Sequence, residues 1–196
     1  MFAITLPVSR TASRTAVLRP LEPHHAVEYL AHIDRARDSV DRFVPWASRT
    51  VDLDSTRSLL QQFADRRAAD TGSLFGIWLD GTLVGGVMFV SFDAKLGTCE
   101  LGCWLEPAAE GHGLITAGIR VLLEYALVER GLARAEWYCS TRNPRSRAIA
   151  QRVGMTLEGV QRSSFPHGGV RHDMEAWAVL AEEWRAVVPG RFPGVS

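Results

Sequence analysis

The chain has 196 residues, 46% hydrophobic and 22% charged, the balance of a soluble globular protein with a real core, and its length suits a single domain. Twenty-two Lys and Arg match 22 Asp and Glu, so the formal charge is zero and the basic excess of a nucleic-acid binder is missing. Three cysteines are too few and too irregular for a disulfide framework, and no apolar run approaches the roughly 20 residues that cross a bilayer.

In chain order, residues 15–21 (TAVLRPL) predict a first strand. Pro23 then opens a helix whose apolar positions Ala26, Val27, Leu30 and Ile33 recur at helical spacing. Residues 35–50 predict a short helix and a loop. Asp52 or Asp54 caps a second helix that runs to Gly72. SLFGIWL and TLVGGVMFVSF form a hairpin around Asp80-Gly81, and TCELGCWL (98–105) extends the meander after a turn at Gly97. On that strand Cys99 and Cys103 share a face roughly 13 Å apart, too far for a bridge, so free thiols in a reducing cytoplasm are expected.

Residues 114–130 carry the strongest helical pattern and stop at Gly131. ARAEWYCST predicts a strand, NPRSRAIAQRVG a short helix, and 155–165 with 170–180 a terminal strand pair around Pro166-His167-Gly168-Gly169. A last helix, AEEWRAVV, precedes the tail. The order β-α-α-β-β-β-α-β-α-β-β combines an antiparallel meander with one parallel crossover, hence a mixed sheet with helices on both faces. One domain over 1–196 is expected, its core at about 14–185, with 1–13 and 188–196 loose. The start, MFAITLPVSR, lacks the basic n-region of a signal peptide.

Two strand-to-helix junctions stand out. Gly111-His112-Gly113 places bare backbone between a strand and the 114–130 helix, where unpaired N–H groups and a partial positive charge favour an anion such as a phosphate. Gly-x-Gly also occurs in many ordinary turns. No Gly-Lys-Ser/Thr follows, and Thr116 stands where a dinucleotide fingerprint needs its third glycine. At the second junction Asn143 and Ser146 open a helix. Asn143 with Pro144 also reads as a plain N-cap pair. Both junctions follow neighbouring parallel strands, so both helices open at the same end of the sheet, where ligands of α/β sheets gather.

The segments CELGCWLEPAAEGHGLITAGI, STRNPRSRAIAQRVGMTLEGVQR, HGGVRHDMEAWAVL and VDRFVPWAS together resemble the GNAT superfamily of acyl-CoA-dependent N-acyltransferases, in particular the RimJ/RimL branch that acetylates ribosomal-protein N-termini. The resemblance runs from residue 14 to 185. It implies a GNAT fold: a mixed, mostly antiparallel sheet of about seven strands, in which a bulged fourth strand splays from the fifth. It implies acetyl-CoA as co-substrate and no metal. The backbone of Cys103, Trp104 and Leu105 would pair with the pantetheine arm. Gly111, His112, Gly113, Leu114, Ile115 and Thr116 would wrap the pyrophosphate, and Asn143 and Ser146 would reach the cofactor arm and the thioester sulfur. Trp46 would wall the acceptor site and Asp173 would orient the acceptor or form a structural ion pair.

Amide formation from a thioester needs a base for the amine proton and an acid for the thiolate. Glu100, on the strand lining the cofactor cleft, is the candidate base, against a plain paired carboxylate. Ser146 is the candidate acid, against a helix-start serine that only caps. Cys139 faces the cleft or packs in the core. His167 and His172 flank the last hairpin without partners at metal spacing. Glu110 departs from the family pattern, which has Gln or Arg there; unit charges 6 Å apart at an effective dielectric near 20 repel by roughly 3 kcal/mol, unless Glu110 turns outward or meets an arginine. Three functions are therefore compared: an N-terminal acetyltransferase; a GNAT enzyme acting on a small amine or antibiotic or using succinyl-CoA; and a non-catalytic binding module. No nucleic-acid or membrane partner is expected. A homodimer is expected from the relatives.

Overall fold

The computed structural model describes residues 3–8, 14–43 and 49–187. One eight-stranded sheet carries the chain, in the spatial order β1-β2-β3-β4-β5-β6-β8-β7. Its strands are β1 (Ile4–Leu6), β2 (Ala16–Pro20), β3 (Ser73–Leu79), β4 (Thr82–Asp93), β5 (Thr98–Leu105), β6 (Arg134–Ser140), β7 (Thr156–His167) and β8 (Val170–Leu180). The helices are α1 (Ala26–Val40), α2 (Leu53–Ala68), α3 (Leu114–Glu124), α4 (Pro144–Arg152) and α5 (Ala181–Val187). All pairings are antiparallel except β5 with β6.

The expected order of elements is present, with three differences. Residues 4–6, expected to be loose, add an eighth strand against β2, because Leu6 drops into the core at 2% exposure. Helix α1 runs on to Val40, since Ala36 and Val40 continue its buried stripe. The 114–130 helix widens into a π-turn at Tyr125–Glu129, where Arg130 N–H bonds to the Tyr125 carbonyl (2.8 Å) before Gly131 ends it at φ +68°.

Local chemistry explains the connections. Asp80 and Gly81 both take positive φ (50° and 81°), as a two-residue hairpin with the sheet's twist requires. Asp52, and not Asp54, caps α2: its carboxylate accepts from Ser55 N–H (2.7 Å) and Ser55 Oγ accepts from Asp52 N–H in return.

Two cores hold the layers. Under α3, α4 and α5 lie Leu101, Ile119, Leu122 and Trp137. Under α1 and α2 lie Tyr29, Ile33, Leu60, Trp78 and Trp104. Truncating Ile33 or Leu122, each at 0% exposure, to Ala costs about 2–5 kcal/mol.

The feature that makes a site is the β5–β6 pair. Its register runs from Thr98↔Arg134 to Leu101↔Trp137 and stops there, although β5 continues to Leu105 and β6 to Ser140. Beyond the fourth row the strands part. A bulge lies next to this point, but on β4: Val90 is the extra residue between Phe89↔Leu101 and Ser91↔Glu100. The resemblance had placed it on the splaying strand itself.

Candidate active site

Strand alternation assigns side chains around the gap to opposite faces. Leu101, Cys103, Trp137 and Cys139 belong to the α3/α4 side. Trp104 joins the core under α1 and α2, so Glu100 and Gly102 share that face, and the pairing Glu100↔Glu136 brings Glu136 and Tyr138 onto it. A cleft of about 1070 Å³ follows the gap through the sheet. Glu100, residues 103–105, Gly111, residues 113–116, Asn143 and Ser146 all line it.

On the α3/α4 side the glycine loop presents backbone to the cleft. Gly111 and Gly113 take φ +82° and +76°, a region that costs other residues roughly 1–2 kcal/mol. Gly113 is the N-cap of α3; no side chain caps it, and no acidic residue stands in the first turn. The first N–H groups of α3 are thus left for an anion. Helix α4 differs, because Asn143 Oδ1 accepts from Ser146 N–H (3.1 Å). The N-cap reading of Asn143 therefore holds, while its residue also lines the cleft.

Glu110, the charge that threatened this loop, is paired with Arg145. Sequence reasoning allowed for an arginine there without saying which. Ser146 Oγ accepts from Trp137 Nε1 (3.0 Å) and lies within hydrogen-bonding reach of the Cys139 sulfur. With a lone pair committed to the indole, the hydroxyl's own proton is available to donate. Trp137 was missed as a partner; its place one residue from Glu136 fixes its face only once the fold is known.

Glu100 is half-buried. Burial, with the neighbouring Glu136 carboxylate, raises its pKa above the ordinary range, and Arg66 opposes the shift. A carboxylate so placed is more basic than a free one. The thiols are not poised to react: burial pushes Cys103 up to about 12 and Cys139 up to about 11. All three cysteines are free.

Three singled-out residues stand apart. The His112 side chain turns to Arg14 (3.2 Å), which also pairs with Asp80, so it ties the glycine loop to the β3–β4 turn. Asp173 is exposed and accepts from Ser163 N–H (2.7 Å), holding the β7 irregularity where Ser163 has φ +54°. Neither side chain lines the cleft. Trp46 lies outside the described residues. Among the described residues no group of three or more His, Cys, Asp or Glu is spaced to hold a metal ion, and no helix is long and apolar enough to cross a membrane.

This geometry fits acetyl-CoA: a bare helix N-terminus for the pyrophosphate, a strand edge free of β6 beyond Leu101 for the pantetheine amides, and a hydroxyl donor beyond it. The acetyltransferase (GNAT) domain family matches residues 16–156. The chain belongs to that family. It is an N-acetyltransferase that uses acyl-CoA. YdaF of Bacillus subtilis (strain 168), named for ribosomal N-acetylation, is 29% identical over 172 residues, covering 85% of this chain and 92% of YdaF. The ribosomal-protein-serine acetyltransferase of Escherichia coli (strain K12) is 23% identical over 147 residues, 75% of this chain and 82% of that one. Among solved structures, a RimL ribosomal L7/L12 alpha-N-protein acetyltransferase in complex with coenzyme A superposes with TM-score 0.82 at 20% identity, covering 92% of this chain and 99% of RimL. That likeness confirms the GNAT fold.

Proposed function

We propose that this GNAT enzyme acetylates the α-amino group of a protein or peptide, with Glu100 and Ser146 working from opposite faces of the parted sheet. The observation that carries the reading is their placement. Glu100 projects to the α1/α2 face with a raised pKa, and Ser146 lies on the α3/α4 side beside Trp137. The names of the two relatives, ribosomal N-acetylation and ribosomal-protein-serine acetylation, support a protein amine as acceptor.

Gly113 and the first turn of α3 would hold the pyrophosphate, and the free edge of β5 at residues 103–105 the pantetheine amides. When bound, acetyl-CoA supplies a thioester carbonyl for the amine and a thiolate as leaving group. Glu100 takes the proton of the acceptor ammonium, directly or through a water, which its raised basicity favours. Ser146 donates a hydrogen bond to the departing sulfur and relays to it the second proton lost by the amine, so that the thiol leaves and the hydroxyl is restored. Cys103 and Cys139 remain thiols at neutral pH, which supports direct transfer without an acyl-cysteine step. The parted strands align the two reactants, and this proximity provides much of the rate.

The binding-module reading lost its motive when Glu110 met Arg145. A cytoplasmic location agrees with three free cysteines. The test is coenzyme A release from acetyl-CoA with N-terminal peptides set against small amines. Turnover with peptides, and mass spectra showing α-N-acetylation, are expected. Turnover with small amines alone would refute the peptide acceptor.

A further inference from the structure

The acceptor half of the cleft has a distinct chemistry. Met88 and Val90 of β4 lean over Gly102, where a Cβ would lie 3.0 Å from Val90 Cγ2 and 3.3 Å from Met88 Cγ. Phe63 of α2 packs on the same core from above. Across the gap, the pairings Ser140↔Met174 and Phe165↔His172 put Met174 and Phe165 on the same face as Tyr138. All five apolar side chains line the cleft. Met88 is 7% exposed and the other four are half-buried. Large apolar side chains gathered half-buried around one cavity suit an apolar guest.

Several polar groups on the same walls are already engaged, and the exposed Asp38, Arg42 and Arg142 also line the cleft. His172 Nε2 donates to the His167 carbonyl (3.2 Å), so its Nδ1 accepts from Ser140 Oγ (3.4 Å). Ser140 Oγ accepts from Arg142 N–H (3.2 Å). His167 Nε2 donates to the Asp41 carbonyl (2.5 Å), and Ser39 Oγ to the Ala36 carbonyl (2.8 Å). Glu100, between the apolar walls, has no hydrogen bond or ion pair among the described residues, and complements an ammonium. A serine hydroxyl seated between Phe63, Met88, Val90, Phe165 and Met174 would gain little from those five side chains, whereas a hydrocarbon side chain would leave water for them.

We infer that the acceptor is an α-amine whose own side chain is large and apolar, such as N-terminal Met, Leu or Phe, seated between Phe63, Met88 and Val90 on one side and Phe165 and Met174 on the other. This rests on Glu100 facing the acceptor amine, and it departs from the serine named for the Escherichia coli relative. The chemistry is shared by a peptide N-terminus and a free amino-acid amide, so both are assayed.

The test uses the full chain, acetyl-CoA and peptides identical except for Met, Leu, Phe, Ser or Ala at the first position, with leucinamide and serinamide alongside. The expected result is a kcat/KM at least about tenfold higher for Met, Leu and Phe than for Ser or Ala, within the range a hydrophobic pocket can discriminate. The same ranking confined to the amides would support the pocket and assign it to a small amine. Equal or better turnover of Ser or Ala would overturn the inference while leaving the N-acetyltransferase reading intact. Absence of turnover with every peptide and amide would overturn the α-amine acceptor, and the pocket assignment with it. Phe63→Ser, with its thermal midpoint recorded, should cut the Leu-to-Ser ratio at least threefold. An unchanged ratio in a folded variant would remove Phe63 from the pocket.

Discussion

The two faces of the sheet at the β5–β6 gap offer ligands different chemistry, and the proposed function gives the acyl donor to one and the acceptor to the other. Besides the Ser146 hydroxyl, the α3/α4 face offers backbone: Gly111 and Gly113 at positive φ, an uncapped helix start, and a strand edge that outruns its partner. The α1/α2 face offers side chains: Glu100, Tyr138 and an apolar wall. Backbone recognition depends on where glycines and strand ends fall, so it tolerates wide variation elsewhere in the chain. Side-chain recognition changes with single substitutions. One fold can therefore keep a constant acyl donor while exchanging its acceptor.

Four experiments break or sharpen this contrast. The largest effect belongs to the acceptor face. On the proposed mechanism Glu100→Gln removes the base and should lower kcat/KM for the amine by about 100-fold or more. Because the pKa of Glu100 is raised, activity of the native enzyme should fall with pH from a point above the ordinary carboxylate range. A stopped pH–rate profile checks the limb, which the Gln variant should lack.

A stability effect comes next. His32, at 0% exposure, accepts from Trp104 Nε1 (2.9 Å) and faces Glu106 with its other nitrogen (3.2 Å). The neutral ring must therefore carry its proton on Nδ1. Burial lowers its pKa to about 4, against the pull of Glu106. Between pH 6.5 and about 4 the unfolded chain binds a proton that the folded chain refuses, so stability drops as pH falls. The loss is about 3 kcal/mol at most. Urea unfolding at pH 7.5 and 4.5 measures it, and His32→Gln, which can still bridge Trp104 and Glu106, should show a shallower dependence.

On the donor face, Gly113→Val forces a β-branched residue to φ +76° and should weaken acetyl-CoA binding about tenfold, with little effect on acceptor selectivity. The smallest effect is expected from Glu110→Gln. Its charge is already paired with Arg145, so acetyl-CoA affinity should change less than about twofold. Arg145→Ala, which leaves Glu110 unpaired, should weaken affinity more, and less so at high salt.

The same contrast explains what could be read from the sequence. The two junctions lining the α3/α4 side were legible because their determinants are local: Gly111-His112-Gly113 before a helical run, and Asn143 through Ser146 after a strand. The sequence placed Glu100 on its strand, yet its raised pKa comes first from burial and then from Glu136, 36 positions later, against Arg66, 34 earlier, all of which only the fold brings about. The Trp137–Ser146 and Glu110–Arg145 pairs cross between elements in the same way. His112 was expected in the pyrophosphate loop and Asp173 at the acceptor or in an ion pair; their side chains bond to Arg14 and to Ser163 N–H. Strand β1 was missed because three residues carry too little pattern, although one of them, Leu6, is buried.

Calorimetric titration of acetyl-CoA into native protein and Glu100→Gln, with turnover measured on the same samples, tests the two-face account most directly. The account predicts a dissociation constant unchanged within about twofold and a turnover lower by about 100-fold. Native-like turnover by Glu100→Gln, or a loss of acetyl-CoA affinity that matches the loss of turnover, would contradict it.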